Sequence, residues 1–438
     1  MNRPDPIGDN DGPAPTTVMS SGVAQDLPLS SVALRNPRYQ LCEEIERGGM
    51  GIVFLARDLQ LFREVAVKVL RYDPASNPLA VQCYDNEARI MSYLSHPGII
   101  PIYERGLCAD GRPYHVMKLI NGTTLLQMLR SGQYSTTHLL PIFADVCQTM
   151  AFAHSRGVLH LDLKPSNIMV GAFGEVHVMD WGLARFEDRP TEEPNQWSVI
   201  RSVRAPAMGI SGTPDYMSPE QARGEHLDAR SDVFGLGAIL FELLIGRPPY
   251  NGSSVRQVYR RSLSSTVDSP LAALDQCDTD RAMVRLAKRC LSPRRRDRPR
   301  DAVEVATALA AYQESALQRA ESDMNRFFEL SLDLFCIADF EGYFRRINAN
   351  FPRVLGYAEQ DLLSRPFLDF VHPDDQRQTV QVMSVLDEGQ PVVRFRNRYR
   401  AADGRYVTLE WTAKSIDSES LIFAVARDVT PRVFDPEA

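Results

Sequence analysis

His160-Leu161-Asp162-Leu163-Lys164-Pro165-Ser166-Asn167 is the stretch whose reading decides the fold. An acid, a lysine two positions on and an amide further along suit the movement of a phosphoryl group. Asp162 can accept a proton from an incoming hydroxyl. Asn167 can hold a metal ion that bridges nucleotide phosphates, and Lys164 is a point charge within reach of the transferring phosphate. Phosphoryl transfer asks for positioning and charge neutralisation more than covalent help, so three such groups suffice when held rigidly. The plainer alternative is a polar turn after an apolar strand. Downstream, Val178-Met179-Asp180-Trp181-Gly182 reads as a short strand ending in another acid, and the two stretches together favour phosphoryl chemistry over the turn.

H-L-D-L-K-P-S-N followed by D-W-G resembles the eukaryotic-type serine/threonine protein kinases of bacteria. The resemblance implies an α+β bilobal protein-kinase fold with a β-rich N-lobe and a helical C-lobe. It also implies an enzyme that uses ATP and Mg2+, with Asn167 and Asp180 on the metal and protein hydroxyls as acceptors, its own among them.

Upstream of the loop, Leu41 to Ile45 and Ile52 to Ala56 alternate as strands around Glu46-Arg47-Gly48-Gly49-Met50-Gly51. Small residues there let backbone N–H groups approach phosphates without a Cβ in the way. On its own this is equally a plain hairpin turn. In the family pattern G-x-G-x-x-G-x-V the matching positions are Glu46, Gly48, Gly51 and Val53. The first glycine is missing, which weakens the expected grip on the nucleotide. By resemblance Ile45, Glu46, Gly48, Gly49, Met50, Gly51, Val53 and Ala66 surround the nucleotide.

Val65-Ala66-Val67-Lys68 fits a strand, and a helix over Leu79 to Leu94 puts Tyr84, Glu87, Ala88 and Met91 on one face. A carboxylate on an apolar face is costly unless paired, and Lys68 is the obvious partner. The resemblance assigns Lys68 to the α- and β-phosphates and Glu87 to Lys68. His115 to Gly122 reads as a strand running into a connection between lobes. There the resemblance sets Met117 at the back of the pocket and the backbone of Lys118 to Ile120 against the adenine.

From Thr136 the period becomes helical, with Leu139, Phe143, Val146 and Met150 on one face and Gly157 as a stop. Strands dominate before residue 120 and helices after it. Asp180 to Pro219-Glu220 resembles an activation segment, in which Thr213 helps place the substrate hydroxyl beside Asp162. The helix Arg230 to Ile245 is apolar nearly all round and so buried. Asp232 at its start is expected to brace the catalytic-loop backbone, and Arg298 to pair with Glu220. Leu161 stands where many family members have an arginine that meets a phosphate on the activation segment. Leucine cannot, so catalysis is expected to survive joint replacement of Ser198, Ser202 and Ser211 by alanine.

Residues 300 to 331 form an amphipathic helical stretch. Its spacing permits a coiled-coil homodimer and equally a packed single helix. From Leu334 the order is β-β-helices-β-β-β: Leu334 to Asp339, Tyr343 to Ile347, Val392 to Arg400, Arg405 to Lys414 and Leu421 to Asp428. With F-E-G-Y-F-R-R-I-N-A-N-F, V-H-P-D-D and D-G-R-Y, this resembles an α/β PAS sensor domain with a five-stranded antiparallel sheet, able to regulate the kinase or to dimerise. His372 reads as the start of a helix rather than a haem ligand. Cys336 lies away from any flavin-type motif, so no PAS ligand is indicated. The expected division is a disordered tail over 1–37, kinase over 38–312, helical connector over 313–324, PAS domain over 325–432 and a tail over 433–438.

Composition narrows the alternatives. A net charge of −7 in 438 residues and a pI near 5.7 exclude a broad nucleic-acid-binding face. Seven scattered cysteines without a C-x-x-C give no metal site and suit a reducing compartment. No apolar run is long enough to span a membrane and Met1-Asn2-Arg3-Pro4 leads into no apolar signal segment, so the expectation is a cytoplasmic protein. Residues 1 to 37, rich in Pro, Gly, Ser and Asp, cannot bury enough surface to offset their ordering entropy. The competing class is a catalytically weak kinase-fold scaffold that binds partners through its PAS domain, suggested by Glu46, Leu161 and Trp181. None of those three removes a proton acceptor or a metal ligand.

Overall fold

Valines at 65, 67 and 69 point to one side of a strand, and all three are buried, while Ala66 and Lys68 point to the other. This alternation sets up the N-lobe. The computed structural model describes residues 32–187, 213–250, 252, 255–263, 268–416 and 420–431, which fall into two units, Met1–Gln313 and Glu314–Ala438. In the first, β1 (Tyr39–Arg47), β2 (Gly51–Asp58), β3 (Arg63–Leu70), β4 (Ile102–Leu107) and β5 (Pro113–Lys118) form an antiparallel sheet in the order β1-β2-β3-β5-β4. Its core joins Ile52, Phe54 and the three valines with Tyr114 and Val116. Helix α1 (Pro78–Tyr93) starts on Asn77, whose side chain accepts from the Ala80 N–H at 3.0 Å. It buries Tyr84, Glu87, Ala88 and Met91, the face expected from spacing.

The helical lobe follows. Helix α2 (Leu125–Ser131) opens with a capping box between Thr124 and Gln127 that the sequence reading passed over. Helix α3 (Thr136–Ser155) buries Leu139, Phe143, Val146 and Met150, and Gly157 beyond it takes a left-handed φ of 71°. The helix Ala229–Ile245 is buried on every side from Ser231 to Leu243, and its Gly237 is required by packing. A Cβ there would sit 2.5 Å from the Cβ of Cys290.

Two expected boundaries need correction. Residues 32–37 belong to the N-lobe rather than to a disordered tail. Val32 is buried, Leu34 bridges to Cys108, and the Ala109 N–H donates to the Ala33 carbonyl at 2.7 Å. Within the apolar run Val32-Ala33-Leu34, Val32 joins the N-lobe core and Leu34 packs against it. The expected division at 312/313 falls beside the one between Gln313 and Glu314 where the two units part, whereas that at 324/325 leaves no mark. One helix, Ala302–Leu330, runs through both, since nothing in that span is Gly or Pro.

In the second unit, β11 (Leu334–Asp339), β12 (Phe344–Ile347), β13 (Val392–Arg400), β14 (Tyr406–Ile416) and β15 (Leu421–Asp428) make an antiparallel sheet in the order β12-β11-β15-β14-β13. Three helices, Asn350–Leu355, Glu359–Ser364 and Pro373–Asp387, complete it. His372 caps the last of these, its Nδ1 accepting from the Asp374 N–H at 3.2 Å. Asp375 on that helix accepts from the Arg398 guanidinium at 2.7 and 2.9 Å, which holds its carboxyl below the usual range and fixes the helix to β13. The fold is a β-rich lobe and a helical lobe followed by a PAS region, the class expected from the sequence.

Candidate active site

The catalytic loop lies between β7 (Val158–Leu159), which follows β6 (Gly122–Thr124) and pairs with β10 (Arg185–Phe186), and β8 (Ile168–Gly171). Nearly every polar group in it is engaged. Asp232, at the start of the buried helix Ala229–Ile245, accepts from the His160 and Leu161 N–H groups at 2.8 and 2.7 Å. His154 on α3 donates to the same carboxylate from Nε2 at 2.9 Å and accepts from the Ala302 N–H at 3.1 Å. Burial opposes charge on Asp232. His154 and then His160, through its ring and its amide, outweigh it and hold the carboxyl below its ordinary value.

His160 fixes the loop from the other side. Its Nδ1 accepts from the Asp162 N–H at 3.2 Å, and its Nε2 donates to the Met179 carbonyl at 3.0 Å. Gln221 donates to the Leu161 carbonyl at 2.6 Å. Leu161 itself takes a left-handed φ of 66° and packs with Leu159, Leu227 and Ala229. The sequence reading missed His154 and Gln221. The signal for His154 was present, since it falls four residues after Met150 on an apolar face, as Glu87 does on α1.

On this frame the side chains of Asp162, Lys164, Asn167 and Thr213 converge. Lys164 Nζ donates to Asp162 Oδ2 at 2.6 Å and to Thr213 Oγ1 at 2.8 Å. The Thr213 N–H and hydroxyl both donate to Asp162 Oδ1 at 3.1 Å. Asn167 spends its amide N–H on the Asp162 carbonyl, 2.9 Å, and on Oδ2, 3.2 Å, which leaves the amide oxygen as its donor for a metal.

A second group faces it from the N-lobe and the end of β9 (Val176–Val178). Lys68 Nζ lies 2.6 Å from Glu87 Oε1. Burial pushes Lys68 down and Glu87 up. The short contact, with Asp180 nearby, decides for the charged pair and holds the Lys68 ammonium above its ordinary value. Glu87 Oε2 is buried without a partner. Asp180 takes a left-handed φ of 57°, and a Cβ on Gly182 would meet Asp180 Oδ1 at 3.3 Å, Met50 Sδ at 3.4 Å and Glu87 Oε2 at 3.8 Å. A side chain there would be tight against the Asp180 carboxylate and in ordinary contact with the other two. Trp181 is fully buried, donates to the Val178 carbonyl at 3.1 Å and lies 4.6 Å, ring to ring, from His160. It is core rather than a sign of lost function.

Sheet register collects the remaining residues. Val53 pairs with Lys68 and Ala66 with Met117, so Val53, Ala66, Lys68 and Met117 share the face opposite the N-lobe core. Gly51 is tight against Lys68, whose Cγ and Cε would lie 3.2 Å from an added Cβ. Ile45, Glu46, Gly48 and Gly49 are exposed at the turn, and Met117, Lys118 and Ile120 are half-buried. Ser198, Ser202 and Ser211 lie outside the described residues.

Two lobes, a lysine–glutamate pair and an acid held by an amide, a lysine and a threonine make an arrangement suited to moving a phosphoryl group. The protein-kinase-domain description matches residues 39–310, and the chain belongs to that family. The PAS-fold description matches residues 344–424. The chain is 42% identical over 221 residues to the serine/threonine-protein kinase PknB of Mycobacterium tuberculosis (strain H37Rv), covering 50% of this chain and 34% of that protein. It is 32% identical over 336 residues to the serine/threonine-protein kinase PknD of Protochlamydia amoebophila, covering 73% and 33%. Against PknD of Chlamydia muridarum the identity is 38% over 255 residues, covering 53% and 27%. The chain thus spans about a third of the length of these curated relatives. Among the described residues no helix is long and apolar enough to cross a membrane.

Proposed function

We propose that this protein is a serine/threonine kinase that moves the γ-phosphoryl group of ATP to hydroxyls of protein substrates, its own included. The observation that carries this is Asp162, a carboxylate held on both oxygens by Lys164, Asn167 and Thr213 at 2.6–3.2 Å. The acceptor hydroxyl oxygen bonds to the γ-phosphorus as the bond to the β–γ bridging oxygen breaks. ADP leaves with that oxygen and the hydroxyl proton passes to Asp162. Lys164 neutralises charge on the moving group, and Thr213 sets the hydroxyl against Asp162. Lys68, kept charged and aimed by Glu87, holds the α- and β-phosphates. Gly48, Gly49 and Gly51 present backbone N–H groups to the phosphates, and Met117, Lys118 and Ile120 border the adenine.

Asn167 and Asp180 supply one amide and one carboxylate oxygen. This hard and incomplete donor set suits Mg2+ completed by phosphate oxygens and water, and when bound the ion neutralises phosphate charge. The PAS region acts as a sensory or dimerising module of a cytoplasmic protein.

The full chain with γ-labelled ATP and a generic protein substrate tests this. Asp162→Asn should lower turnover by about 10²–10⁴-fold while nucleotide binding persists. Equal turnover in the two proteins would end the reading.

A further inference from the structure

One cluster of charge takes no part in phosphoryl transfer. Between Arg281 and Arg300, nine of twenty residues are Arg or Lys and one, Asp297, is an acid, in a chain whose net charge is −7. Of the nine only Arg298 is buried, in its pair with Glu220 at 2.7 Å. The helix Arg281–Cys290 sorts several of the others. It buries Met283, Leu286, Ala287 and Cys290 in the C-lobe core, which turns Arg281, Arg285 and Lys288 outward in one row with Arg289 at its flank. Lys288 pairs with Asp275, and Arg289 meets Glu304 at 2.6 Å. Glu304 also accepts from the Arg300 N–H at 2.9 Å, which sets Arg300 beside Arg289 and carries the basic strip past the helix. Arg281 and Arg285 have no acid or carbonyl against them among the described residues.

Stability and solubility do not account for these two arginines. The N-terminus of a helix is its positive end, where Asp280 already caps the Ala282 N–H at 2.7 Å and a cation is out of place, yet Arg281 is the first helical residue. A net charge away from zero keeps a chain soluble, and added cations bring this one nearer zero. The strip also selects among anions. Guanidinium forks meet carboxylates in two parallel hydrogen bonds. A bilayer surface is held by apolar side chains among the cations, and unpaired bases by aromatic platforms. Residues 281–300 expose no large apolar side chain and contain no Phe, Tyr or Trp. We propose that the outward face of the helix Arg281–Cys290, continued by Arg300, docks an acidic segment of a partner protein, a run of Asp or Glu seated on Arg281 and Arg285. The proposal rests on the C-lobe surface and not on phosphoryl transfer, so its test reads binding apart from turnover.

The full chain is titrated into a fluorescein-labelled octaglutamate peptide, with anisotropy read at about 50 and about 200 mM salt. A saturable rise is expected, weaker by about tenfold at the higher salt. Arg281→Glu combined with Arg285→Glu should weaken it by about tenfold or more at the lower salt. Arg353→Glu combined with Arg377→Glu changes the net charge equally at exposed positions of the other unit, and should weaken it by less than about twofold. Circular dichroism and kinase turnover report that each variant is folded, and Arg281→Gln with Arg285→Gln serves in place of an unfolded charge reversal. Parallel titrations use duplex DNA and vesicles of phosphatidylserine and phosphatidylcholine. No saturable rise with the peptide, or an equal loss in the two pairs of variants, would overturn the proposal. So would DNA or vesicles that bind more tightly than the peptide and lose that binding with Arg281 and Arg285.

Discussion

The catalytic loop and the glycine-containing turn approach the same cleft from opposite sides and are built on opposite principles. Within residues 160–167, Asp162 is met through both oxygens, its N–H and its carbonyl, and Leu161 is clamped through its N–H by Asp232 and its carbonyl by Gln221. In the turn 46–51 the backbone bonds are few. Gly48 N–H meets the Gly51 carbonyl at 2.9 Å, Arg71 N–H meets Met50 at 3.0 Å, and Glu46, Arg47, Gly48 and Gly49 are exposed. Chemistry that depends on placing one carboxylate needs a floor that does not move. A cover that must admit and release a nucleotide needs the reverse.

The largest expected effect comes from breaking the floor at its one support shared by three donors. Asp232→Ala removes the acceptor for the buried His160 and Leu161 N–H groups and strands His154. The loss expected for an uncompensated buried partner is about 3–5 kcal/mol, read from the denaturant midpoint. If the loop keeps its stability without Asp232, the contrast between floor and cover fails.

A smaller effect, about 2 kcal/mol, separates the two sides by pH. His115 on β5 pairs with Lys68 on β3, stacks on Tyr84 at 4.1 Å, and has neither ring nitrogen engaged. Burial first, then Lys68 and Arg105, push its pKa down to about 3, so it stays neutral in the fold. The unfolded chain binds the proton from about pH 6.5 downward. Stability from this group is therefore whole above that value and is lost as pH falls toward 3. Between pH 7 and pH 5 the protein should lose about 2 kcal/mol more than His115→Phe, which keeps the stacking. Equal pH slopes in urea titrations would refute it.

How legible each side was follows from the same contrast. Asp162, Lys164 and Asn167 sit within one short stretch, so their spacing alone suggested a common task, and Lys68 and Glu87 were joined by one argument about a carboxylate on an apolar helix face. His154 and Gln221 escaped because they act through Asp232 and a main-chain carbonyl, and contacts to backbone leave no pattern in side-chain types. Residues 32–37 were misread because their burial depends on pairing with 107–109, distant along the chain. The turn at 46–51 stayed ambiguous since a hairpin and a phosphate cover use the same small residues.

Glu46 sharpens the comparison from the yielding side. It stands where the family pattern has glycine, it is exposed, and its carboxylate adds negative charge above Lys68. Glu46→Gly should lower the KM for ATP by about two- to threefold, because exposed charges contribute little through solvent, and leave kcat within about twofold. A change of a hundredfold would mean the turn is as fixed as the floor.

The smallest effect expected is none. Where many relatives carry an arginine that reads a phosphate, Leu161 is buried against Leu159, Leu227 and Ala229, with Leu183 packed alongside. A guanidinium would orient the activation segment only when that segment is phosphorylated. An apolar contact of this kind is indifferent to phosphate, and the loop's geometry is already fixed by Asp232 and Gln221 without it. Ser198, Ser202 and Ser211 changed together to alanine should therefore leave kcat within about twofold of the parent protein, measured from first addition of ATP so that no prior phosphorylation contributes. A fall of more than tenfold would show that the floor, fixed as it is, still waits on a modification that Leu161 does not read.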